Sequence, residues 1–247
     1  RVLHDVSFEI RGGEKISIVG LNGAGKTTLV KLISRLYRPE EGHILLNGVD
    51  IFEYEHGSYL ASIAAVFQDY KLFAFSIDEN ITGKRPGSDL VGTGTVIRRV
   101  GLNEKMAELN EGVYSMLGKS YDENGVELSG GERQLALIAR AMAQQARILL
   151  MDEPTASLDY GNQFRLLRQV RALADSGYTV LLSTHNPEHA FRFATHALVL
   201  QDGGVRAWGP VKETLTEELL RDMYRIPLTV ADIPLAGGPA KGCVYGE

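Results

Sequence analysis

The chain has 247 residues, 44% of them apolar, and a net charge of −5 with mixed signs. That suits one large domain or a core with an inserted subdomain, argues against a disordered chain, and shows no basic stripe of the kind a nucleic-acid binder carries. Cys243, the single cysteine, excludes an intrachain disulfide and fits a reducing compartment. There is no internal repeat, no signal peptide, and no apolar run near the ~18–20 residues of a membrane span, so a membrane role needs a partner or further polypeptide. Arg1 opens the chain in what reads as a strand-rich module, and we expect a segment before it.

In chain order, 8–10 and 16–19 read as strands split by the Gly12-Gly13 turn. Gly20-Leu21-Asn22-Gly23-Ala24-Gly25-Lys26-Thr27 then fits G-x-x-x-x-G-K-[ST], between a strand and a helix predicted over 27–37. Its glycines let backbone N–H groups wrap a β-phosphate, and the helix start adds its positive end. Lys26 would reach the β- and γ-phosphates, and Thr27 would hold Mg²⁺. "GHILLNGVDI" is a hairpin candidate turning at Asn47-Gly48. A short strand at 64–67 is followed by Gln68, whose amide can ligate Mg²⁺ or the attacking water.

From 77 to about 117 the chain turns polar and helical. "LSGGERQ" at 128–134 is a second glycine-rich turn and opens a helix predicted over 129–145. "ILLMDEPT" is a buried strand, 148–151, ending in Asp152 and Glu153. Strand ends of open α/β sheets are where ligands bind. Asp152 would support Mg²⁺ through water, and Glu153 could accept the proton of the attacking water. A helix over 162–174 carries Arg165, Arg168 and Arg171 on a solvated face, and a buried strand over 179–183 precedes His185, which could donate to a γ-phosphate.

His185-Asn186-Pro187-Glu188-His189 also fits H-x-x-E-H, a zinc pattern that needs both rings on one helical face. Asn186 and Pro187 read as a helix start that leaves His185 outside, so zinc is not adopted. "HALVLQDGGVRAWG" is a second hairpin, 214–224 a last helix, and 234–247 a Pro/Gly-rich tail. Strands alternating with helices give a mostly parallel α/β sheet, to which the hairpins add an antiparallel layer.

The order "GLNGAGKTT", Gln68, "LSGGERQ", "ILLMDEP", Ser157-Leu158-Asp159 and His185 resembles the nucleotide-binding domain of an ABC ATPase over about residues 1–225. The resemblance implies an α/β fold of the P-loop NTPase, ABC type. Its core sheet is mostly parallel, with an N-terminal antiparallel β layer, a helical subdomain inserted at about 72–142, and a tail at 226–247. It implies ATP and Mg²⁺ as cofactors. Gly20, Asn22, Gly23, Ala24, Gly25, Lys26, Thr27 and Thr28 would bind the chain's own ATP. Thr27, Gln68 and Asp152 would hold the metal, and Glu153, His185, Gln68 and Lys26 would act in hydrolysis.

Ser129, Gly130, Gly131 and Glu132 would instead cap the γ-phosphate held by a second copy, in a head-to-tail dimer whose interface the 157–159 turn also crosses. The further partner implied is a membrane permease, separate or fused upstream, which places the chain at the cytoplasmic face of a membrane; no nucleic acid is expected. Family members stack adenine on an aromatic residue upstream of the loop, a position that falls before Arg1, and Phe8 reads as strand core. "VFQDYKLFAFSIDENI" and "GKSYDENGVELSGGE" resemble exporter domains, whereas "AQQARILLMDEPTASLDYGNQ", "STHNPEHAF" and "LLRDMYRIPLTV" resemble iron-chelate and corrinoid importer ATPases, so direction stays open. Two other classes remain, a soluble ABC ATPase without a permease and a module that closes on ATP without turnover. The lack of a second cassette or insert weighs against the first, and Glu153 with His185 against the other.

Overall fold

The structure, a computed structural model, describes residues 2–69, 71–119, 123–234 and 240–245. Its elements in order are β1 (Lys15–Val19), α1 (Lys26–Ile33), β2 (Leu45–Leu46), β3 (Val49–Asp50), α2 (His56–Ser62), β4 (Ile63–Val66), α3 (Ile77–Thr82), α4 (Leu90–Val100), α5 (Asn103–Glu108), α6 (Gly130–Ala143) and β5 (Ile148–Met151). They continue with α7 (Tyr160–Asp175), β6 (Thr179–Thr184), α8 (Pro187–Phe193), β7 (His196–Gln201), β8 (Gly204–Pro210), α9 (Val211–Thr214), α10 (Glu217–Tyr224), β9 (Leu228–Ile233) and β10 (Ala240–Tyr245).

Six strands form one sheet in the order β4-β5-β6-β1-β7-β8, parallel throughout except for β8, which returns antiparallel to β7. Short apolar runs such as Ile148–Met151 are the sequence mark of strands covered on both faces. One face packs on α3, α4, α6 and α7 through a cluster that includes Val66, Ile77, Val100, Ile138, Leu149 and Val170. The other carries Leu29, Val30, Tyr59 and Leu198, with Phe8, Ile44 and Trp208 against them. Parallel pairing puts the C-terminal ends of β1, β4, β5 and β6 along one edge, and the loops that leave them carry the phosphate loop, Gln68, Asp152-Glu153 and His185.

Several local expectations change. Residues 8–10 make no strand ladder; Phe8 packs on Trp208, ring centroids 5.6 Å apart, while its backbone stays outside the sheet. The antiparallel layer near the N-terminus therefore ladders only in β2 and β3, joined by Asn47 and Gly48 at φ 51° and 81°, the turn expected there. The helix expected over 27–37 stops at Ile33, because Arg35 turns left-handed at φ 56° and Leu36 N returns to Lys31 O at 2.9 Å, a Schellman-type stop. The last helix divides into α9 and α10, where the Thr216 side chain caps a new start by accepting from Leu219 N. Of the expected tail, 235–239 and 246–247 lie outside the described residues, and the rest belongs to the β9–β10 hairpin, whose alternating pattern seats Leu228 and Cys243 on α8 and α10.

Candidate active site

Gly20 N donates to Thr184 O at 3.3 Å and ties the end of β1 to β6. Gly23 and Gly25 then take φ of 84° and 100°, conformations that a Cβ would strain, and Gly25 caps α1. Asn22 and Thr27 stand exposed on this loop, Ala24 is buried and Thr28 half-buried. Lys26 is only 4% exposed. Its Nζ donates to Gly20 O at 2.9 Å and Leu21 O at 3.0 Å, and lies 3.0 Å from Glu153 Oε1. The other Glu153 oxygen meets His185 Nδ1 at 3.2 Å. Phosphate-loop lysine, strand-end carboxylate and following histidine are thus one connected group.

Burial alone would raise the Glu153 carboxyl, but the Lys26 ammonium, with a smaller part from His185, outweighs it and holds the group below its ordinary 4.5. Glu153 is ionised at neutral pH. Its backbone sits at φ 44°, a left-handed setting that costs a side-chain-bearing residue roughly 1–2 kcal/mol. Ser183 helps hold it there: Glu153 N donates to Ser183 Oγ at 2.9 Å, and that hydroxyl donates to Asp152 Oδ1 at 2.6 Å. A single serine therefore orients both acidic residues. The sequence carries only a weak signal for Ser183, a hydroxyl residue that follows the apolar run 180–182 two positions before His185.

Gln68 follows the end of β4 and is exposed, while Asp152 N donates to Val66 O at 2.8 Å next to it. Among the described residues, no hydrogen bond joins Gln68 to the Lys26–Glu153–His185 group. Thr27, Asp152 and Gln68 offer the oxygen donors that suit a hard divalent cation, and the buried, serine-oriented Asp152 carboxylate fits a site for Mg²⁺.

Ser129, Gly130, Gly131 and Glu132 form a separate surface. Ser129 caps α6 in a reciprocal box, its Oγ accepting from Glu132 N while Glu132 Oε2 accepts from Ser129 N at 2.8 Å. Glu132 also lies 3.7 Å from Lys105 Nζ. A Cβ on Gly131 would stand 2.9 Å from the Asn162 side chain, which is itself tied to Asp159, so α6 and α7 begin side by side. Among the described residues these contacts do not reach Lys26 or its loop. His185 lies outside α8, as expected, and His189 points to other partners, its Nδ1 lying 3.0 Å from Thr184 Oγ1. Arg165, Arg168 and Arg171 are exposed.

The family model described as ABC transporter matches residues 3–156. The cyclolysin secretion/processing ATP-binding protein CyaB of Bordetella pertussis is 37% identical over 207 residues, 84% of this chain and 28% of that protein. The cobalamin import ATP-binding protein BtuD of Halobacterium salinarum is 36% identical over 240 residues, 96% of this chain and 58% of that protein. The chain thus spans less than two thirds of either relative. A solved bacterial Atm1-family ABC exporter with ATP bound superposes with a TM-score of 0.76 at 34% identity, over 90% of this chain and 37% of that one.

Proposed function

The chain belongs to the ABC transporter family as one of its ATP-binding domains, and we propose that it hydrolyses ATP with Mg²⁺ in a head-to-tail pair of cassettes and so drives solute movement through a membrane permease. The observation that carries this reading is the Lys26–Glu153–His185 group at the mouth of the phosphate loop.

Hydrolysis needs charge stabilisation on the γ-phosphate and one placed water. Lys26, buried among two carbonyls and Glu153, exchanges the carboxylate for phosphate oxygens when ATP enters the loop. That frees Glu153, already ionised, to take a proton from water as the water oxygen bonds to the γ-phosphorus and the bond to the bridging oxygen of ADP breaks. His185 donates to a γ-phosphate oxygen. Thr27, Asp152 and Gln68 would hold Mg²⁺, which would supply neutralisation of phosphate charge. The second cassette contributes its Ser129 hydroxyl and the start of its α6.

Coupling to a permease would run through the segment after Gln68. Phe73 and Phe75 are 60% and 52% exposed there, while Asn80 holds their backbone. Among the described residues no helix is long and apolar enough to cross a membrane, so the permease is further polypeptide or another subunit. Relatives named for secretion and for import both match, and on this reading cargo and direction belong to the permease.

Glu153→Gln removes the proton acceptor and keeps the shape of the site. We expect this variant to bind ATP and Mg²⁺ and to elute as a dimer in size-exclusion runs, with phosphate release near background. A monomer at saturating ATP would overturn the proposal.

A further inference from the structure

We propose that Tyr224 is a positioning residue for His185, so that the C-terminal part of the chain sets the aim of the γ-phosphate donor. This rests on the reading of His185 given above. The Tyr224 hydroxyl donates to the main-chain carbonyl of His185 at 2.5 Å, across 39 residues of sequence. Tyr224 is the last residue of α10, which closes when Arg225 turns left-handed at φ 55°. Its ring packs in the cluster of Ala190, Leu220, Met223 and Leu228, so the hydroxyl is brought to His185 by a packed platform and not by a free side chain. Burial, with Tyr245 and Cys243 nearby, pushes the phenol well above its ordinary value and keeps it a donor.

His185 is the single residue between the end of β6 and Asn186, the cap of α8. Its flanks are fixed locally: Ser183 holds the acidic pair, and Asn186 N donates to Thr184 Oγ1 at 3.0 Å. The hinge that remains is the His185–Asn186 peptide, whose plane follows the direction of the His185 carbonyl and sets ψ of His185. Tyr224 grips that carbonyl, Glu153 grips the ring at 3.2 Å, and β10 packs on the α8 that follows. Side chain and main chain of His185 are thus held by one residue 32 positions before it and another 39 positions after it. Both Tyr224 and His185 lie beyond residues 3–156, the part of the chain that the family model covers.

Tyr224→Phe deletes the hydroxyl and keeps the ring in its cluster. In steady-state ATPase assays we expect kcat to fall roughly five- to tenfold, the worth of one hydrogen bond at the transition state. KM for ATP should stay within about twofold. In a His185→Ala background, Tyr224→Phe should cause no further loss, because its only route to the phosphate has gone. A second readout needs no turnover. With ¹³C-labelled histidine, the ring signals of His185, identified by their loss in His185→Ala, should shift in Tyr224→Phe without nucleotide. An unchanged kcat, an equal loss in the His185→Ala background, or an unmoved His185 signal would overturn the inference. A wild-type chain without turnover would instead count against the ATPase reading, and the His185 signal would still test Tyr224.

Discussion

His189 shows what a single residue does beside the reaction. It is 7% exposed, and its ring reaches Thr184, Thr155, Gln163 and Asn186 at 3.0, 3.5, 3.3 and 3.4 Å. It therefore links the segment after Glu153, the start of α7 and the loop that carries His185. Desolvation, with smaller parts from His185 and Arg192, lowers its pKa from 6.5 to about 4. The unfolded chain then takes a proton here before the folded one does. This part of the stability is complete above pH 6.5 and is lost as pH falls toward 4. Between pH 6.5 and 5 the loss is about 2 kcal/mol. In His189→Gln that slope should vanish, although the variant starts lower at pH 7 for its weaker hydrogen bonds. Urea unfolding at pH 7 and pH 5 checks it, and equal pH slopes for the two proteins would remove the assignment. Sequence alone showed this histidine only as half of a zinc-like pattern, because its meaning comes from residues on three other segments. Lys26, Glu153 and His185 were legible because each ends or follows a strand of recognisable pattern, and strand order then brings them together.

At the scale of elements, the helical layer is joined to the Gln68 loop by one buried amide. Asn80, on α3 and 3% exposed, donates to Phe73 O, Phe75 O and Ser76 O and accepts at Oδ1 from Phe73 N. Arg140 of α6 closes the knot, its guanidinium donating to Asn80 O at 2.6 Å and Asn80 Oδ1 at 2.9 Å and standing over the Phe73 ring. Arg140, on the helix that opens at the "LSGGERQ" signature of 128–134, thus fixes the backbone that presents Phe73 and Phe75. Asn80→Ala takes away the acceptor of the Phe73 N–H and one acceptor of the Arg140 guanidinium, together with three side-chain donations to carbonyls that keep their backbone partners, and we expect a loss of about 1–3 kcal/mol. Urea titration measures it, and faster amide exchange at Phe75 should accompany it. A change under about 0.5 kcal/mol, the range of ordinary surface substitutions, would show that α3 and α6 hold this loop by packing alone. No periodicity announces such a knot: Asn80 reads as one polar residue in a polar stretch. The Asn47-Gly48 hairpin, by contrast, was legible, since a two-residue turn with positive φ at both positions is a local demand.

At the scale of the molecule, the strand ends carry Lys26, Glu153 and His185, while Ser129 to Glu132 lie on a face held by Lys105 and Asn162. On the proposed head-to-tail reading, two incomplete halves on one chain would become two complete sites when copies meet about a two-fold axis. Each site would then take its phosphate loop from one copy and its signature from the other. Lys26→Ala breaks the first half, and Ser129→Arg blocks the second while leaving ATP binding on its own loop largely intact. Each variant alone should be inactive. Mixed in equal amounts, half the dimers combine the two variants, and in each of these both defects fall in one site while the other is made of wild-type residues. Phosphate release should return to roughly a quarter of the wild-type rate at the same total protein, provided the sites turn over independently. Were phosphate loop and signature to serve the same ATP within one chain, every molecule in the mixture would carry a broken site, and mixing would restore nothing.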